Sequence, residues 1–332
     1  MKVWIPEYYR NFQCIASACP DSCCKEWEVD VDDTAAVLYR SLPGALGDAL
    51  RAVLKDTEDG TMMTIQDGRC PMWRQDGLCR IQAELGHEAL CQVCRDFPRL
   101  CHDYGDFIEY GLELSCPEAA RLILTQSHTM AAEDAPGDEL PDYDADAMSI
   151  LLESRKAALD FLDRSNLPVN HSLIVFLLYA HEVQSWLDGG TAATIDTDGS
   201  IALAKQHATT ANWNTVLDVF CGLEILTPLW RTRLSTPMQN GVWHSGYLAL
   251  MKYFIGRYWL QAVSDYDLIC RVKFMVTAAL VIYHLGGDFI ETAQLFSKEI
   301  ENDPDNLDAL LDGMYTAPAL TDIHLLSLLL TD

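Results

Sequence analysis

Basic residues are scarce in this chain: 23 Lys and Arg stand against 49 Asp and Glu over 332 residues, a formal charge of -26 at pH 7. Non-specific nucleic-acid binding and attachment to anionic membranes both need Lys and Arg to neutralise phosphates, so no nucleic-acid and no membrane partner is expected. Long apolar runs are missing as well. The richest stretches, Leu173 to Ala180 and Phe274 to Leu285, fall short of the roughly 18 residues that span a bilayer. Met1 to Tyr9 holds one Lys and then polar, aromatic and Pro residues, with no apolar segment leading to a cleavage-like site. No signal peptide is expected there, and the expectation is a cytoplasmic protein. A strand followed by a Gly-rich turn and a helix is also lacking: Asp188-Gly189-Gly190 through Asp198-Gly199 has no preceding strand and reads as a loop between helices.

What is present in excess is cysteine. Of twelve cysteines, ten lie between Cys14 and Cys116, and Cys221 and Cys270 stand alone in apolar, helical surroundings. In a reducing compartment a dense cysteine pattern points to metal binding or catalysis rather than disulfides. The two isolated residues read as inert core thiols, because free Cys is among the most buried residue types. The ten others are Cys14, Cys19, Cys23, Cys24, Cys70, Cys79, Cys91, Cys94, Cys101 and Cys116. Zinc and iron-sulfur clusters both take soft thiolate donors, about four per zinc or cubane, so ten candidates suffice for one site with spares or for two. Cys70, Cys79 and Cys116 sit at turns where backbone amides approach the sulfur, and Cys91 and Cys94 share a face of a predicted helix.

An apolar fraction of 49% and a charged fraction of 22% are ordinary for a folded protein, and the length predicts two domains. Residues 1–128 read as a compact α+β unit. Glu26 to Val31 and Met62 to Gln66 read as strands, the latter continuing through Cys70 to Trp73. Asp33 to Arg40, Ala45 to Leu54 and Leu78 to Asp96 read as helices, Phe107 to Leu114 as a strand, and a helix opens at Pro117. Residues 129–147 read as an acidic linker, with seven acidic residues, two prolines and no basic residue between Glu133 and Asp146. Within residues 148–332 apolar residues recur at helical spacing in Ile150 to Leu162, Leu173 to Leu187, Asn214 to Leu226, Tyr247 to Val263, Val272 to Leu285, Ile290 to Ile300 and Leu320 to Leu330, with Phe274 to Leu285 apolar on nearly every face and therefore central. The expected fold is mainly α: a small cysteine-rich α+β N-terminal domain followed by an all-α helical domain.

The cysteines and their neighbours carry a family resemblance. Phe12-Gln13-Cys14, Cys19, Asp21-Ser22-Cys23-Cys24 with Trp27, Gly68-Arg69-Cys70-Pro71, Leu78-Cys79, Leu85-Gly86 through Leu90, Cys94-Arg95-Asp96-Phe97-Pro98-Arg99 and Leu114-Ser115-Cys116-Pro117-Glu118 together resemble the flagellin lysine-N-methylase family, within a wider group of cysteine-rich zinc- or iron-chelating proteins. The resemblance covers residues 1–124. It implies a protein-lysine N-methyltransferase that moves a methyl group from S-adenosylmethionine to lysine ε-amines of flagellin or a similar protein, with a 4Fe-4S cluster on cysteine. The positions matching the family's recurring cysteines are Cys14, Cys19, Cys23, Cys24, Cys70, Cys79, Cys94 and Cys116, with Cys91 and Cys101 as additional candidates. The spacing C-x4-C-x3-C of Cys14, Cys19 and Cys23 departs from the C-x3-C-x2-C of radical S-adenosylmethionine enzymes.

Other residues near the cysteines have two readings each. Arg95 and Arg99 could hold a carboxylate of donor or substrate, or pair with the acidic surface. Trp27 and Trp73 could shelter the site or simply pack, and His87 and His102 are the histidines near enough in sequence to ligate. Glu26, Glu28, Asp30, Tyr104 and Glu118 are the acid-base candidates, with no catalytic residue singled out. Two other function classes fit the same cysteines: a zinc-binding structural or interaction module, and an iron-sulfur redox sensor without transferase activity.

Overall fold

A computed structural model describes residues 1–331 except 26, 28, 59, 138, 139 and 142. Glu26 and Glu28 therefore lie outside the described residues. The first part of the chain runs β1 (Lys2–Pro6), α1 (Glu7–Arg10), β2 (Val29–Val31), α2 (Asp33–Ser41), α3 (Gly44–Val53), β3 (Leu54–Asp56), β4 (Thr61–Met63), α4 (Arg80–Leu85), α5 (Gln92–Asp96), β5 (Arg99–Asp103), β6 (Phe107–Leu112), α6 (Pro117–Thr125) and β7 (Met130–Asp134). Helices alone follow: α7 (Ala145–Arg164), α8 (Val169–Leu187), α9 (Thr197–His207), α10 (Trp213–Cys221), α11 (Pro228–Ser235), α12 (Gly246–Tyr258), α13 (Leu268–Leu285), α14 (Phe289–Ile300), α15 (Pro304–Thr316) and α16 (Asp322–Leu330). The molecule is mainly helical, with two small sheets.

One sheet has the order β5-β6-β1-β7, with β1 parallel to β6 and its other pairs antiparallel. The other is an antiparallel sheet of order β2-β4-β3. Apolar packing falls into two cores. Residues between Val29 and Cys94 bury Tyr39, Leu50, Met63, Met72 and Ile81 around Cys70 and Cys91. The larger core runs from Tyr8 to Leu329 and takes Phe107, Leu112, Leu114 and the buried face of α6 together with the helical part. Helix α1, strand β6 and helix α6 thus pack on the helices rather than on the cysteine-rich core.

The acidic excess has a structural use at helix starts. Asp32, Asp144, Asp196, Asp267, Asp288 and Asp303 each accept an amide N–H from the first turn of α2, α7, α9, α13, α14 and α15, satisfying donors that have no intrahelical partner. Helix α13 is long and apolar enough to cross a membrane, yet 83% of it is buried inside the fold, as a central helix would be.

Several expectations need correction. The single helix predicted over Leu78 to Asp96 is broken at Gly86, which adopts φ +89° and ψ 172°, a conformation open essentially to glycine. A short 3-10 turn at His87–Ala89 and a new start at Gln92 follow. Cys70 to Trp73 is a turn, not a strand: the Cys70 amide donates to the Cys24 carbonyl at 2.8 Å and the Trp73 amide to the Cys70 carbonyl at 3.0 Å. The stretch expected as a linker contributes β7, whose side chains are all exposed; main-chain pairing with β1 needs no apolar pattern, so hydropathy could not reveal it. Asp198 and Gly199, expected in a loop, lie in the first turn of α9. Cys221, expected in the core, is exposed at the last residue of α10, whose buried face is formed by Val216, Leu217 and Phe220. Cys270 is buried, as expected.

Candidate metal centre

Three helix starts aim main chain at sulfur. Cys79, Cys91 and Cys116 occupy the N-cap positions of α4, α5 and α6. The third-residue amides, Gln82, Cys94 and Ala119, approach the respective sulfurs and favour thiolate, without completing geometrically ideal capping bonds. For Cys79 and Cys116 burial is the larger effect and raises the thiol pKa, to about 12 for Cys116. A cation at these sulfurs would offset that cost, because a bound metal deprotonates its thiols.

Cys24 is the middle of the set. Hydrogen bonds linking it to Cys23 and to Cys70, and then burial, push its pKa far above the usual thiol range. The same hydrogen bond lowers Cys70 to about 7, and that to Cys23 lowers Cys23. Cys23 keeps an exposed residue surface while neighbouring atoms crowd its sulfur. Cys70 Sγ also lies 3.5 Å from Met63 Sδ. A second pair forms where Cys94 hydrogen-bonds to Cys91, raising Cys94 steeply and lowering Cys91.

These groups sense one another electrostatically. Cys79, Cys91 and Cys94 each feel Cys70, and Cys79 and Cys94 also feel Cys23. Cys19 feels Cys14 and Cys23, and Cys116 feels Cys19 and Cys23. Nine of the ten N-terminal thiols are thus linked electrostatically to the trio of Cys23, Cys24 and Cys70, directly or through one another. Cys91 belongs to this set as fully as Cys94 does. Cys101 is placed elsewhere: it is exposed on β5, hydrogen-bonded to Tyr110 and near Tyr9.

Among the described residues, no three Cys, His, Asp or Glu side chains are gathered tightly enough to hold a metal ion as they stand. The fit lies in donor chemistry: three soft sulfurs already within hydrogen-bonding reach, Cys23, Cys24 and Cys70, cannot all ionise without a cation between them. The residues that would hold such a group are these three, with Cys79, Cys91 and Cys94 on one side and Cys14, Cys19 and Cys116 on the other.

The remaining candidates are dispersed. Arg95 is in the last turn of α5, near Asp32, and Arg99 lies over the Phe12 ring at 5.2 Å. Trp27 packs 6.1 Å from Phe97 with the Lys298 ammonium 5.3 Å from its ring centre; Trp73 lies 4.1 Å from the Arg69 guanidinium. His87 is exposed on its 3-10 turn, and Asp30 is exposed on β2. Tyr104 stacks on Phe107 at 4.8 Å, and Glu118 is held by two hydrogen bonds from Arg121.

His102 lines a cavity of about 260 Å³ between the four-stranded sheet and helices α7 and α12. A bidentate Arg155–Glu109 pair, at 2.6 and 2.7 Å, helps to wall it. Burial holds His102 below its usual pKa, in the neutral form.

Two residues from the far end of the chain reach the cysteine region. Lys298 Nζ donates to Asp21 at 2.8 Å, and Gln294 Nε2 donates to the Ser115 carbonyl at 2.6 Å. Both come from α14 and lie on its buried face. Nothing in their local sequence marks them, since Lys298 and Asp21 are 277 residues apart. Beside these contacts opens a cleft of about 870 Å³, walled by the loop that carries Cys14 and Cys19, by the start of α6 after Cys116, and by α11 and α14.

Comparison with known proteins bears on the same region. Over 133 residues the chain is 33% identical to the flagellar biosynthetic protein FliU of Salmonella muenchen, a match covering 38% of this chain and 79% of that protein. It is 32% identical over 139 residues to the lysine-N-methylase of Salmonella choleraesuis strain SC-B67, and 32% over 136 residues to that of Salmonella typhimurium strain LT2. Each of these two matches covers 39% of this chain but only 34% of the methylase. No family model matches the chain, and no solved structure matches it. With four-fifths of a relative's length aligned at 33% identity, the chain belongs to the flagellin lysine-N-methylase family.

Proposed function

We propose that this protein is a cytoplasmic protein-lysine N-methyltransferase that uses S-adenosylmethionine and holds a 4Fe-4S cluster on its N-terminal cysteines, with flagellin or a similar surface protein as substrate. The observation that carries the reading is the trio Cys23, Cys24 and Cys70, hydrogen-bonded through Cys24, with further N-terminal thiols electrostatically coupled to it and an open cleft beside Cys19 and Cys116. Membership of the family named for lysine-N-methylase supports the activity.

The chemistry asks little of side chains. The lysine ε-amine loses its proton to solvent, its lone pair attacks the methyl carbon, and the electrons of the breaking sulfur–carbon bond return to sulfur. Positioning the two reactants in line supplies most of the acceleration. No radical is needed, in keeping with the cysteine spacing. When bound, the cluster would supply Lewis-acidic iron that can take an amine or carboxylate of the donor where no thiolate occupies it. Cys70, in the core with Met63 and Met72, Cys24, packed against it, and the exposed Cys23 would hold it at the edge of the apolar core. Cys79, Cys91 and Cys116 bring helix-start amides that stabilise sulfur in its anionic form.

The test is mass spectrometry of candidate flagellins after incubation with anaerobically purified protein and S-adenosylmethionine. Gain of one methyl mass on surface lysines is expected, lost with Cys24→Ser. Unchanged lysine masses with metal-loaded protein would overturn the assignment.

A further inference from the structure

The 870 Å³ cleft beside Cys19 and Cys116 has three features that together describe a ligand. Its walls are apolar, with Ile15, Leu229, Ile290 and Leu295 facing the space, Pro20 fixing the loop after Cys19 and Pro117 opening α6 after Cys116. Its charge is negative: Asp21, Glu118, Asp288 and Glu291 line it against Arg121 and Lys298. Lys298 and Arg121 are committed to Asp21 and Glu118. Asp288 caps α14, and the Glu291 side chain is 65% exposed with Arg233 at 3.7 Å. Finally, no aromatic ring is among its lining residues, so an adenine would find no face to stack on.

We propose that this cleft binds the side chain of a lysine presented by a partner protein, its aliphatic stem along the apolar walls and its ammonium toward Glu291 and Asp288. The inference rests on the methyltransferase reading and supplies its substrate site. Charge complementarity decides the occupant. A flexible stem with a cationic head matches apolar walls under a carboxylate rim. The 260 Å³ cavity is the poorer candidate, being small and lined by Arg155, Lys156, Lys252 and Arg257. The prolines pre-set the wall conformation, which lowers the ordering cost of binding.

The experiment is fluorescence anisotropy on the full chain with a labelled lysine-containing peptide and its norleucine counterpart, alongside methylation of the same peptides. Tighter binding of the lysine peptide is expected. Glu291→Gln and Leu229→Arg, both at exposed positions, should each weaken it by at least about tenfold, since the carboxylate's attraction is lost or the cleft is filled. Leu203→Arg, exposed on α9, should leave it unchanged. Equal affinity for the two peptides, or wild-type affinity in both cleft variants, overturns the inference, as does displacement by S-adenosylmethionine of a peptide bound without lysine selectivity. Methylation that persists in both variants overturns the cleft while leaving the activity; selective binding without product overturns the activity while leaving the cleft.

Discussion

Cys24 is the thiol on which the centre turns, because its sulfur bridges Cys23 and Cys70. Cys24→Ser or Cys70→Ser should remove most bound metal, whereas Cys101→Ser, exposed on β5, should leave metal content at the wild-type level; metal analysis of the purified variants decides between these. The sequence brought all ten thiols forward as donors. It could not separate Cys101 from the rest, nor promote Cys91, because membership depends on β5 turning outward and on a helix starting at Gln92. His128 shows a residue-scale pH effect. Burial, followed by weaker influences, lowers its pKa to about 4, while Nε2 lies 2.8 Å from the Ile123 carbonyl. A histidine whose folded pKa lies below the unfolded value of 6.5 contributes full stability above about pH 6.5 and loses it as pH falls toward 4. The ring retains some solvent contact, so about 3 kcal/mol is an upper bound on the contribution. His128→Gln should flatten the dependence of urea-unfolding stability on pH across that window.

Among elements, the break between α4 and α5 and the central α13 make opposite demands. Gly86 has open space around its Cα, so only its backbone conformation resists a side chain. Gly86→Ala should cost about 1–3 kcal/mol, read from the denaturant midpoint, without altering the core. Leu280 in α13 is fully buried, and Leu280→Ala should cost about 2–5 kcal/mol by leaving a cavity. Apolar periodicity made α13 legible, along with α7, α8, α10, α12, α14 and α16. It missed α11 and α15, each of which starts on a capped proline, and α9, whose apolar face is weak. Strands β1, β5 and β7 escaped for a related reason: they are held by main-chain pairing in a sheet whose register no local pattern records.

For the whole molecule, the question is how a cysteine-rich segment is fixed to a helical body. Two polar bridges do it: α14 grips Asp21 and the Ser115 carbonyl, and a buried network joins Tyr253 and Tyr258 to Glu301 beside Arg257. The network reaches the N-terminal part through the Tyr253 hydroxyl, which accepts the Leu114 amide N–H at 3.3 Å, two residues before Cys116. Glu301→Ala should therefore cost about 3–5 kcal/mol by leaving the Arg257 charge buried without its carboxylate, and calorimetry would register the loss. None of this was legible in the sequence, because each bridge joins positions far apart in the chain. The candidate centre itself was legible, since cysteine density survives without knowledge of the fold. The measurement that tests the account most directly is iron, sulfide and zinc analysis of one anaerobically purified sample. Iron and sulfide in matching amounts are predicted; zinc without sulfide, or a metal-free protein, would contradict it.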